Sequence, residues 1–67
     1  MRASILAVGS ELLGTDRLDT NSLTLTATLR RYGVELRQKG VVGDDQSEIA
    51  DLVTRLAAAS DLVLVTG

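Results

Sequence analysis

Ser4-Ile5-Leu6-Ala7-Val8-Gly9-Ser10-Glu11-Leu12-Leu13-Gly14 is the stretch whose reading decides the fold. Ile5 to Val8 is unbroken apolar sequence of strand length. Its lack of polar alternation predicts burial on both faces, as in a parallel sheet. Gly9 ends the run, and glycine lets the backbone turn sharply or pass close to a bound group. Ser10, Glu11, Asp16 and Asp19 then lie beyond the carboxyl end of the strand. Open α/β sheets bind their ligands there.

Outward from this stretch, Ser22-Leu23-Thr24-Leu25-Thr26-Ala27-Thr28-Leu29 can be read two ways. Its apolar-polar alternation and interior threonines are strand-like. Leu25, Leu29 and Tyr32 also fall at i, i+4 and i+7, as on one face of a helix. Thr20 or Asn21 can cap a helix start, Arg30 and Arg31 suit its last turn, and Gly33 suits the C′ position. These end signals favour the helix.

Val34 to Val42 reads as a second strand, with Val34, Leu36 and Gln38 alternating with Glu35, Arg37 and Lys39. That pattern fits a strand with one wet face or edge. Gly43-Asp44-Asp45 is a turn, and Ile49, Leu52, Val53, Leu56 and Ala57 make the apolar stripe of a second helix. Asp45 and Glu48 have capping-box spacing. Leu62 to Val65 is a third strand, again continuously apolar, ending at Thr66-Gly67.

The chain therefore reads β-α-β-α-β, an α/β three-layer arrangement with a parallel sheet. Right-handed crossovers and two buried strands beside one amphipathic strand predict the order 2-1-3, strand 1 central. Strands 1 and 3 are then neighbours whose connections leave in opposite directions, which makes a topological switch point.

Composition narrows the function classes. The 67 residues contain no Cys and no His, which removes thiolate chemistry, the usual zinc ligands and a Ser-His pair at Ser10. Tyr32 is the one aromatic residue, so the core is aliphatic. A chain this size buries roughly 60% of its unfolded surface. With no staple available, an incomplete domain or a homo-oligomer is expected. The net charge of −2 argues against nucleic acid as a partner. Arg30, Arg31, Arg37 and Lys39 are read as a solvated face. No apolar run reaches the roughly 18 residues of a membrane span, and the short run after Arg2 is not expected to act as a signal peptide. A cytoplasmic location is the corresponding expectation. Gly9-x-x-x-x-Gly14-Thr15 has the glycine spacing of a phosphate-binding P-loop but lacks its lysine, and no dinucleotide-binding glycine fingerprint is present.

Taken together, Gly9-Ser10-Glu11-Leu12-Leu13, Asp19-Thr20-Asn21, Val42-Gly43-Asp44-Asp45, Asp61-Leu62-Val63 and Thr66-Gly67 resemble the molybdopterin-binding-like domain. Within it, they are most similar to the N-terminal domain of the competence/damage-inducible protein CinA family. The resemblance covers residues 1–67, which correspond to about the first half of that domain. It implies a helix from Asn21 to Tyr32. It also implies that the glycine-rich, Asp-containing loop after the Thr-Gly of strand 3 lies outside this sequence. Gly14 stands one position before the family's usual second glycine, at Thr15 here.

The resemblance implies metal-dependent hydrolysis of a nucleotide pyrophosphate such as ADP-ribose. The alternative it offers is a non-catalytic molybdopterin- or nucleotide-binding module, or one in molybdenum-cofactor biosynthesis. Glu11 and Asp44 match the acidic positions after strands 1 and 2, as catalytic and metal-holding residues. Gly9, Ser10, Asp19, Asn21, Thr66 and Gly67 match ligand-contacting positions. The partner implied is a nucleotide or pterin phosphate. Clustered carboxylates repel a pyrophosphate, and a hard divalent cation such as Mg²⁺ resolves this by accepting both kinds of oxygen. Each acidic residue also has a structural role open to it. Asp45 can cap the second helix, Asp44 can satisfy turn amides, and Asp19-Thr20-Asn21 can cap the first helix.

Overall fold

The middle of the sheet is β1, Arg2–Val8, whose residues Ala3 to Ala7 are completely buried. It pairs in parallel with β2, Glu35–Val42, on one side and with β3, Leu62–Thr66, on the other. The order β2-β1-β3 is the one expected from the sequence. This is a computed structural model, and it describes residues 1–13 and 20–67. Helix α1, Thr20–Arg31, joins β1 to β2, and α2, Gln46–Ala59, joins β2 to β3. The two crossovers move in opposite directions across the sheet, so right-handedness puts the helices on opposite faces. No helix among the described residues is long and apolar enough to cross a membrane.

The ambiguous segment is a helix, and its threonines show how. Thr26 Oγ1 donates to the Ser22 carbonyl (2.7 Å) and Thr28 Oγ1 to the Thr24 carbonyl (3.0 Å). Threonine in a helix returns its hydroxyl to the preceding turn in this way. Thr20 is already helical, so Thr20 and Asn21 lie in the first turn rather than at the cap, and Asp19 is outside the described residues. At the other end the Val34 amide donates to the Leu29 carbonyl (2.9 Å) and the Gly33 amide to Arg30 (3.1 Å). With Gly33 at φ 72° this is a Schellman cap. Tyr32, read as part of the apolar stripe, lies just past the helix and is 79% exposed.

Nothing lies within 4 Å of a Cβ placed on Gly33. The cost of Gly33→Ala is therefore confined to the left-handed backbone, about 1–2 kcal/mol. Urea denaturation should show that loss and a smaller one for Gly33→Asn. Equal stability of all three proteins would mean that the cap carries no strain for a side chain.

Helix α2 starts as its sequence predicts. Asp45 is the N-cap, and its carboxylate accepts from the Glu48 amide at 3.1 Å. Its stripe packs Leu56 against Leu6 and Val42, flanked by Val8, Ile49, Leu52, Val53 and Val63. Ala57, at the edge of the expected stripe, is exposed. Gly40 explains the close approach of the helix. A Cβ there would lie 3.0 Å from Leu52 Cδ2 and 3.6 Å from Leu6 Cδ1. At the opposite edge of the sheet the Asp61 carboxylate accepts from the Arg2 amide (2.9 Å), and the Asp61 amide donates to the Arg2 carbonyl (2.8 Å).

Two expectations about the strands are corrected. In β2 the register shifts, so that Ala3 pairs with Leu36 and Ser4 with Gln38, leaving Arg37 as the extra residue. This irregularity puts Leu36 and Gln38 on opposite faces, and Gln38 is exposed. Continuous burial of β3 is not observed either. Val65 is 54% and Leu62 36% exposed, because β3 is an edge strand among the described residues and α2 covers it only around Val63.

Ser4 is fully buried in β1, and its hydroxyl has no hydrogen-bond partner among the described residues. A buried unpaired hydroxyl costs about 1–3 kcal/mol. Ser4→Ala removes that cost at the expense of a very small void, so its melting temperature should equal or exceed that of the wild type. A clear drop would reveal a partner for the hydroxyl.

Candidate functional site at the carboxyl edge of the sheet

All three strands end at one edge, where the turns after β1 and β2 touch. The parallel pairing runs one residue past β1, where the buried Gly9 amide donates to the carbonyl of Val42 at 2.9 Å. The chain then folds into a 3₁₀ turn, Ser10–Leu13. On the neighbouring strand, Gly43 is buried beneath that turn. A Cβ at Gly43 would sit 3.4 Å from Leu13 Cδ1 and 3.5 Å from Ser10 Oγ. The next amide, that of Asp44, donates to Ser10 Oγ over a long 3.5 Å. On the other side of β1, Thr66 pairs with Ala7, and a Cβ on Gly67 would lie 3.8 Å from the Val8 carbonyl oxygen.

The structure thus brings together Gly9, Ser10, Asp44, Thr66 and Gly67. The backbone of Glu11 continues directly from Ser10 in the 3₁₀ turn. The backbone of Asn21 lies in the first turn of α1, which begins on the edge where β1 ends. Asp19 and Gly14 are outside the described residues. Asp44 is exposed, whereas Asp45 spends its carboxylate on the α2 cap. The structural role open to Asp45 is the one observed. Arg30, Arg31, Arg37 and Lys39 are all exposed, as a solvated face requires, and none belongs to these turns.

Two residues of this edge escaped sequence reasoning. Leu13 is 61% exposed while reaching the Gly43 position, and Gly43 serves as the packing floor for Ser10. The only local signals are the apolar pair after Glu11 and the glycine before Asp44. Neither states that the two turns meet.

The chemistry of the edge follows from its residues. The segments Ser10–Leu13, Gly43–Asp45 and Thr66–Gly67 contain three carboxylates and no basic side chain. The N-termini of both helices add partial positive charge at the same edge. Among the described residues no cluster of three or more His, Cys, Asp or Glu side chains is present. The available donors are hard oxygens, and the two turns contribute Glu11 and Asp44 besides the capping Asp45. That set suits a cation of the Mg²⁺ type, which takes one or two carboxylates plus phosphate oxygens and water.

Comparison with known proteins agrees with this geometry. A family model described as the probable molybdopterin binding domain matches residues 4–67. A CinA-like protein from Solibacter usitatus is 51% identical over the whole chain, and one from Koribacter versatilis is 46% identical. The chain spans 16% of the length of each of these relatives. A crystal structure described as the protein CinA, of unknown function, from Thermoplasma acidophilum superposes with a TM-score of 0.96 at 33% identity. That match covers 100% of this chain and 41% of the other. With its sheet order and the family match in agreement, the chain, which is similar to CinA-like proteins, belongs to the probable molybdopterin binding domain family.

Proposed function

We propose that this chain supplies part of a nucleotide-processing edge that hydrolyses a nucleotide pyrophosphate, such as ADP-ribose, with a divalent hard cation. The observation that supports this reading is the meeting of two acidic turns. Ser10 and the Asp44 amide lie 3.5 Å apart, so the turn containing Glu11 packs against the turn containing Asp44.

In this reading Glu11 and Asp44 hold the cation. Gly9, Ser10, Asp19, Asn21, Thr66 and Gly67 contact the nucleotide or pterin phosphate. When bound, the cation offsets the charge of the pyrophosphate oxygens. Water adds to one phosphorus, the bridging P–O bond breaks, and two phosphomonoesters leave.

The test is phosphomonoester release from ADP-ribose by the full-length protein across a Mg²⁺ titration, followed by ³¹P NMR. Turnover that EDTA abolishes is the expected result. Binding of ADP-ribose without turnover would instead establish the second reading, a non-catalytic nucleotide- or pterin-binding module. The family's description as a molybdopterin binding domain favours that alternative.

A further inference from the structure

Ser10 is the residue through which the first turn meets the second. Its Oγ accepts from the Asp44 amide, and the same oxygen lies 3.5 Å from the Cβ position of Gly43. Gly43 Cβ would also come within 4.0 Å of Ser10 Cα and 3.4 Å of Leu13 Cδ1. One residue before Ser10, the Gly9 amide is bonded to the carbonyl of Val42, the last residue of β2. Two successive residues after β1 are thus bonded to the end of β2 and to the turn that follows it, 34 residues away in sequence for the Ser10 pair.

We propose that Ser10 is a positioning residue, whose hydroxyl latches the Asp44 turn onto the 3₁₀ turn Ser10–Leu13 and so holds Asp44 in place for the cation. The role differs from contact with a ligand, and it rests on the reading of Glu11 and Asp44 as cation holders. A carboxylate on an unlatched turn must be ordered when the cation binds, and that ordering cost weakens affinity. Glycine at position 43 fits the same arrangement, because its missing side chain leaves room for Ser10 and Leu13.

The experiment uses the full-length protein, Ser10→Ala and Ser10→Thr, with two readouts. Hydrogen exchange of the Val42–Gln46 segment reports the latch without metal. Mn²⁺ alone, titrated and followed by electron paramagnetic resonance, reports the affinity of the cation site. Ser10→Ala should exchange faster there and bind Mn²⁺ about five- to tenfold more weakly, the scale of one lost hydrogen bond. Ser10→Thr keeps a hydroxyl and should restore both. Unchanged exchange in Ser10→Ala would overturn the latch. Faster exchange with unaltered Mn²⁺ affinity would overturn the positioning role, as would a Thr variant as weak as the Ala variant. If the wild type binds no Mn²⁺ while the exchange effect is present, the cation reading fails and the positioning role fails with it, leaving a purely structural latch.

Discussion

Asp44→Asn and Glu11→Gln are each expected to lower Mg²⁺-dependent pyrophosphate hydrolysis by about three orders of magnitude in the full-length protein, while folding survives. Each change keeps the size of the side chain and removes one negative charge. Asp44 is exposed and its side chain is absent from the aliphatic core, so the fold should tolerate the substitution. Asp45→Asn is the internal control. Asparagine caps a helix nearly as well as aspartate, so this neighbour should keep both fold and rate. Rates measured against Mg²⁺ concentration, with circular dichroism alongside, separate the cases. If Asp44→Asn and Glu11→Gln retain wild-type rate and metal dependence, both are turn residues and the site assignment is wrong.

The largest stability effect is expected at Leu56. It is 3% exposed and packs with Leu6 and Val42 at the centre of the only cluster of buried apolar side chains between α2 and the sheet among the described residues. Leu56→Ala removes three carbons and leaves a cavity, at a cost of about 2–5 kcal/mol. A 67-residue chain has a total stability of roughly 3–10 kcal/mol. No aromatic residue or disulfide is present in that cluster to limit the loss. The variant should therefore be largely unfolded at physiological temperature, seen as loss of cooperative thermal melting. Ala57→Ser, one residue along and exposed, should melt within a few degrees of the wild type. A Leu56→Ala protein that loses under 1 kcal/mol would show that the helix does not depend on this contact.

Much of the fold was legible because it is written locally. The unbroken run at Ile5 to Val8 predicted a central strand, and Ala3 to Ala7 are fully buried. Asp45 and Gly33 predicted the start of α2 and the end of α1, since a cap is satisfied by amides and carbonyls a few residues away. The opposite directions of the two crossovers then led to the order β2-β1-β3. The segment Ser22 to Leu29 marks the limit of such reading. Its alternation is strand-like, and only the end signals and the family resemblance argued for the helix that forms.

What only the tertiary structure decided lies between elements. The register shift at Arg37, the seat of Leu52 over Gly40, the exposure of Val65 and the meeting of Ser10 with Gly43 and Asp44 have no local signature. Each depends on how closely two packed elements approach, a distance set by side chains on both. A residue's neighbours in sequence determine its backbone preference and its face. Its neighbours in space, such as an amide 34 residues away, exist only once the sheet has formed. The sequence therefore determined which residues reach the carboxyl edge, and the packed sheet decided which of them touch.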